Sequence, residues 1–199
     1  MTIRDRLMEQ SVVYRLWQAP FAERKLSPLF RHNDLRTTHR VLDVGCGPGT
    51  NTRHFQHADY LGIDINSAYI ESARRRYGRR FVVADVTSYH VPESERFDFI
   101  LVNSFLHHLD TNDVLRLLNH LSLLLAVGGH IHVFELVMPT SPSAARLLAR
   151  WDRGDFARML CDWHSLLGKA FSTVVFEPYA LSLFGLTLWN MVYFKGGRL

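Results

Sequence analysis

Cysteine is scarce in this 199-residue chain: Cys46 and Cys161 are the two, far apart and without a CxxC pair. That leaves neither a disulfide framework nor a thiolate pair for a structural zinc ion. No apolar run reaches the ~18 residues of a membrane span, and the stretch at 120–127 is only helix-sized. No apolar segment of 7–15 residues follows Met1-Thr2-Ile3-Arg4-Asp5-Arg6, so no secretory signal is read and a cytoplasmic location is expected. Repeats and low-complexity tracts are missing too. With 47% hydrophobic and 21% charged residues, the composition excludes disorder and collagen-like structure, and the length fits one domain.

Charge is present but unevenly placed. The net charge is +4, and residues 1–40 hold eight basic groups against four acidic ones, leaving 15 of each in the remainder. A basic end invites a nucleic-acid or anionic-membrane reading. The small excess and the lack of an RNA-binding module argue against nucleic acid. A segment bearing Trp17 and Phe21 keeps peripheral membrane contact open.

Periodicity supplies the elements. Ile3, Leu7, Tyr14 and Trp17 share one side of a helix over 3–18, which Pro20 and Pro28 stop from continuing. Apolar runs at 40–44, 60–65, 81–86, 97–102 and 130–137 predict five strands. Between them, helices are expected at 50–56, at 68–77 with Gly78 as its cap, and from a cap at Asn112 or Asp113 to about Ala126. The last should bury Leu115, Leu118, Leu121 and Leu125. Alternation of this kind means a parallel sheet covered on both faces, whose strands are continuously apolar. Candidate strands at 173–180 and 187–194 are joined too closely for a helical crossover and should form a hairpin. The expected fold is α/β: a Rossmann-like, doubly wound, mostly parallel seven-stranded sheet with an antiparallel C-terminal hairpin strand.

Asp43-Val44-Gly45-Cys46-Gly47-Pro48-Gly49 closes the first strand. Glycines at alternate positions permit a tight turn and bring backbone N–H groups close to a ligand. Asp64 ends the second strand 19 residues after Gly45, where an acid hydrogen-bonds ribose hydroxyls. Spacing alone therefore points to an adenosine-containing ligand at the carboxyl ends of the strands. The glycines fall as GxGxG, however, and not as the dinucleotide GxGxxG.

Here the sequence resembles the class I S-adenosylmethionine (SAM)-dependent methyltransferases. The Asp43–Gly49 run is similar to their first motif, and Gly62-Ile63-Asp64 to the ribose-binding acid. Ala84-Asp85-Val86 is similar to the third-strand acid near the adenine, Phe97 to Asn103 to the fourth strand, and Gly128-Gly129-His130 to the turn into the fifth. The resemblance implies SAM as cofactor and S-adenosylhomocysteine (SAH) as product, without a metal. It places Asp43, Gly45, Cys46, Gly47, Gly49, Asp64, Ile65, Asp85, Val86 and Asn103 around the cofactor. For Asp43 two roles stand open, pairing with the cofactor's ammonium or tying down the turn; for Asp85, the adenine or a helix cap. Residues 1–40 are then a helical cap and 41–199 the SAM-binding domain, with 138–170 as a substrate lid.

Asn103-Ser104-Phe105-Leu106-His107-His108-Leu109 resembles the same stretch in the small-molecule methyltransferases of ubiquinone and menaquinone biosynthesis. His107 and His108 are candidate bases for a hydroxyl or carbon acceptor, or else they pack and cap the following helix. His130 and His132 share a strand face and read as core. Arg153 and Arg158 among aromatics, with Tyr14 and Trp17, are candidates to clamp an anionic, partly apolar acceptor, the other role being a solvated cover helix. A small or lipid-like acceptor is expected. RNA methylation and non-catalytic SAM binding are the alternatives.

Overall fold

The computed structural model describes residues 21–151 and 156–199. The expected helix at 3–18, with Tyr14 and Trp17, lies outside them, as does Arg153. The strands are β1 (Arg40–Val44), β2 (Asp59–Asp64), β3 (Arg80–Val83), β4 (Phe97–Asn103), β5 (Leu125–Val137), β6 (Phe171–Leu183) and β7 (Leu186–Arg198). The helices are α1 (Ala22–Lys25), α2 (Ser27–His32), α3 (Ser67–Tyr77), α4 (Thr111–Leu124), α5 (Ala144–Trp151) and α6 (Leu160–Gly168).

All seven strands join one sheet in the order β3-β2-β1-β4-β5-β7-β6. The first five are parallel, and β7 runs antiparallel between β5 and β6. Because successive strand residues face opposite ways, two cores result. Leu42, Val44, Ile100, Val102, Ile131 and Val133 pack with Leu117, Leu118 and Leu121 of α4 and Trp163 of α6. Val41, Phe99, Leu101, Phe134 and Tyr193 pack instead with Ile70 of α3 and Leu29 of α2. Further along, Leu136, Trp189 and Met191 meet Phe21 and Ala149 of α5.

Local chemistry sets the boundaries. The Asn66 side chain accepts from the Ala68 and Tyr69 amides to start α3, and Gly78, at φ 59°, ends it. The cap of α4 is Asp110, accepting from the Asp113 amide at 2.8 Å, and not Asn112 or Asp113. Its buried stripe is Val114, Leu117, Leu118, Leu121 and Leu124, while Leu125 already belongs to β5. β3 stops at Val83, short of the expected 86, because the Asp85 carboxylate takes the Thr87 amide and begins a 3₁₀ turn. The helix expected at 50–56 is only the 3₁₀ turn Thr52–His54. There Asn51 reaches back to Asp43, and Arg79 donates to the carbonyls of Phe55, Gln56 and Ala58.

The C-terminal hairpin is longer than expected and closes on Phe184 and Gly185, both with positive φ (49° and 80°), the backbone of a two-residue turn that matches strand twist. β6 is the outer edge, with Pro178 in it and register shifts at Thr173/Val175 and Leu181/Ser182. Ahead of β1, α1 and α2 are tied to this hairpin: the Tyr179 hydroxyl donates to the Lys25 carbonyl, Asn33 donates to the Tyr193 hydroxyl, and Arg31 and His32 pair with Glu177.

The expected lid at 138–170 divides. Its second half, α6, is core: Trp163 is fully buried, donates from Nε1 to the Leu136 carbonyl at 2.9 Å, and packs among Leu166, Leu167, Phe171 and Phe194. Trp163→Ala should therefore lower unfolding free energy by about 3–5 kcal/mol, measured by urea denaturation.

Candidate active site

The order of strands reverses between β1 and β4, so the loops leaving their carboxyl ends diverge and open a crevice. On the β1 side, Gly45, Gly47 and Gly49 all have positive φ (63°, 52° and 77°). A Cβ at Gly45 would come within 2.8 Å of the Phe105 ring, and one at Gly49 within 2.9 Å of Phe81. The turn is stitched to the end of β2. The Cys46 amide donates to the Ile63 carbonyl, while Asp64 accepts from the Gly47 amide at 2.9 Å and the Asn66 amide at 2.8 Å. Burial raises the Asp64 carboxyl above its usual range against these two donors. The Cys46 thiol is likewise pushed up by burial, with Asp43 and Asp64 adding to it, so it is no thiolate.

A cavity of about 1080 Å³ occupies the crevice. Eight of the residues expected around a cofactor line it: Gly45, Cys46, Gly47, Asp64, Ile65, Asp85, Val86 and Asn103. Gly49 and Asp43 are not among its lining residues. The Asp43 carboxylate is fully buried and accepts from the Tyr60 hydroxyl at 2.6 Å and from Asn51 Nδ2 at 3.1 Å. These bonds link the end of β1 to Tyr60 of β2 and to Asn51 beyond the glycines, and burial lifts its pKa to about 6 against them. Asp85 both lines the cavity and caps the turn at Thr87.

The two histidines differ in exposure. His108 lines the cavity. His107 is buried, its Nδ1 2.7 Å from Glu135 Oε2, and is no acid–base candidate at the cavity wall. The 3₁₀ turn Leu106–His108 sets the two rings side by side, their centres 4.2 Å apart, with His108 on the cavity side. Arg158 also leaves the acceptor list. Its guanidinium is turned inward, donating to the carbonyls of Leu106, Leu109 and Phe156, and lies 5.0 Å from the Trp163 ring centre. His132 bonds the Tyr193 hydroxyl through Nδ1 at 2.9 Å and stacks on Phe99, a core role.

Sequence reasoning missed several groups. Lys25 reaches the cavity and donates to Ser104 Oγ, and Ser104 holds a left-handed φ of 53°. Asn51 links Asp43 to Asn103, whose Nδ2 is 3.5 Å from Asn51 Oδ1. Glu135 accepts from the Phe105 and Leu106 amides. The basic count of the first 40 residues contained Lys25 without any signal for its position.

A crevice of this kind, floored by a glycine turn with a strand-end acid beside it, defines an α/β protein built for an adenosine-type ligand. Residues 41–129 match the family model described as methyltransferase domain. Over those residues the chain is similar to that domain, in line with the resemblance of its motifs to the class I SAM-dependent methyltransferases. It is 33% identical over 111 residues to malonyl-[acyl-carrier protein] O-methyltransferase 1 of Ilyobacter polytropus, covering 52% of this chain and 40% of the relative. With trans-aconitate 2-methyltransferase of Variovorax paradoxus it shares 33% over 105 residues, 50% of this chain and 38% of the relative. The chain thus spans about two fifths of the length of these two curated relatives. The fold is that of the N-methyltransferase NodS of Bradyrhizobium japonicum in complex with SAH, at a TM-score of 0.70 and 20% identity over 98% of this chain and 96% of that one.

Asp43 has a consequence for stability. With its pKa raised, the folded state binds the proton more tightly than the unfolded chain. Its contribution favours folding below about pH 4 and is lost as pH rises through 6, a change of about 3 kcal/mol. Asp43→Asn should flatten that part of the stability–pH curve, as measured by urea titrations from pH 4 to 7.

Proposed function

We propose that the chain transfers a methyl group from SAM to a small acceptor bearing an anionic group, and that it does so mainly by positioning. The observation that carries this is a cavity that Asp64 and the glycine turn share with Ser104, His108 and Lys25. The residues present suit the cofactor. Gly45 and Gly47 line the cavity, Asp64 stands where ribose hydroxyls would donate, and Asn103 Oδ1 is buried without a partner among the described residues, ready to accept from an ammonium. When bound, SAM supplies an electrophilic methyl on a sulfonium whose departure needs no proton.

The chain's own residues then have separable tasks. Asp64, Asp85 and Val86 hold and orient the cofactor end, while Lys25 and Ser104 orient the acceptor. A carboxylate acceptor is already ionised at neutral pH and needs no base; for a hydroxyl, His108 takes the proton. Holding two reactants in line is worth up to roughly 7–11 kcal/mol of barrier. The relatives named for trans-aconitate and malonyl-[acyl-carrier protein] support an acidic acceptor. The segment before β1, which contributes Lys25, is the acceptor-side cap in this scheme.

Calorimetric titration should give SAM and SAH dissociation constants on the order of micromolar, with Asp64→Ala weakening both by about 100-fold through lost charged hydrogen bonds. No heat from either ligand removes the proposal. With methyl-labelled SAM and a panel of carboxylic acids beside their amides, label should pass to acids. Lys25→Met should lower kcat/KM for them about tenfold with SAM affinity unchanged, and equal labelling of amides would exclude the anionic acceptor.

A further inference from the structure

We infer that Glu135 is a positioning residue for the cavity, acting with Arg158 to clamp residues 104–109 from both ends. Glu135 stands on β5, fully buried, on the α4/α6 side of the sheet. Its carboxylate accepts from the Phe105 amide at 2.9 Å, the Leu106 amide at 2.6 Å and His107 Nδ1 at 2.7 Å. A buried carboxylate is costly unless its lone pairs are occupied, and here three donors from one short segment occupy them. Burial raises this carboxyl, but His107 and the two amides outweigh it and hold the pKa below the usual value. The anion also sits at the amino end of the Leu106–His108 turn, where unpaired amides converge.

Arg158 serves the opposite end. Its guanidinium donates to the Leu109 carbonyl at 2.8 Å and shares the Leu106 carbonyl with the Leu109 amide, and the Phe156 amide donates to the His107 carbonyl. Anion on the amides and cation on the carbonyls leave the segment little freedom. What the segment carries explains the device. The Phe105 ring closes over Gly45, and Ser104, His108 and Leu109 line the cavity. Releasing Glu135 should therefore loosen the glycine turn through Phe105 and misplace His108, although Glu135 itself does not line the cavity.

The test has two arms, with Ile131→Ala as a control that damages the same strand further from the cavity. In the free protein, Phe105 and Leu106 amide hydrogens should exchange about tenfold faster in Glu135→Gln than in wild type, and less than about twofold faster in Ile131→Ala. Equal exchange in Glu135→Gln and wild type overturns the inference. The second arm rests on the proposed methyltransferase function and uses SAH as probe: Glu135→Gln should weaken its binding about tenfold, and Ile131→Ala less than about twofold. Equal losses in the two variants reduce Glu135 to a structural role and overturn the inference, leaving the proposed function standing. Wild type failing to bind SAH removes the proposed function instead, and the exchange arm still decides the clamp. If Glu135→Gln does not fold, Arg158→Lys is read the same way, since an ammonium cannot bridge both carbonyls; exchange and affinity at wild-type values then overturn it.

Discussion

Three left-handed residues within five positions, Gly45, Gly47 and Gly49, carry the chain from the end of β1 into the crevice, and much of the site is arranged around that backbone. A side chain at Gly45 or Gly49 would strike an aromatic ring that is itself packed against the core. The Gly47 amide is taken by Asp64, so the turn and the end of β2 cannot move independently. Beneath it, Tyr60 and Asn51 converge on the buried Asp43. The turn is thus pinned from the neighbouring strand, from below and, through Phe105, from the far side of the crevice.

Charged groups here act mainly on the backbone. Glu135 and Arg158, of which the sequence pointed to Arg158 as a substrate residue, are spent on amides and carbonyls of one six-residue segment. Low dielectric makes such bonds strong and makes an unpaired member costly, so the arrangement favours rigidity of the segment over adaptability.

Legibility in the sequence followed the range of the interactions. The spacing of Gly45 and Asp64 was informative because a parallel β–α–β unit has a narrow range of lengths, and the mostly parallel sheet followed from alternation. His107 and His108 looked equivalent, since one residue's step around a 3₁₀ turn decides which faces the cavity. The carbonyl partners of Arg158 lie about fifty residues away and carry no side-chain signature. Nor does the run 50–56 announce that Asn51 will be drawn to Asp43 in place of continuing a helix. Two of the partners of Glu135 are backbone amides, which have no letter in the sequence.

The outer edge of the sheet bears on solubility. A thirteen-residue strand with one side unpaired among the described residues is a template for pairing with another chain. In β6, Pro178 has no amide hydrogen to offer, and the two register shifts bend the ladder near either end. Glu177 adds a charge, held by Arg31 and His32 of α2. The strand that completes the fold is also built to discourage a stranger's strand from extending it, a safeguard against fibrillar association that owes nothing to the chemistry at the other end of the sheet.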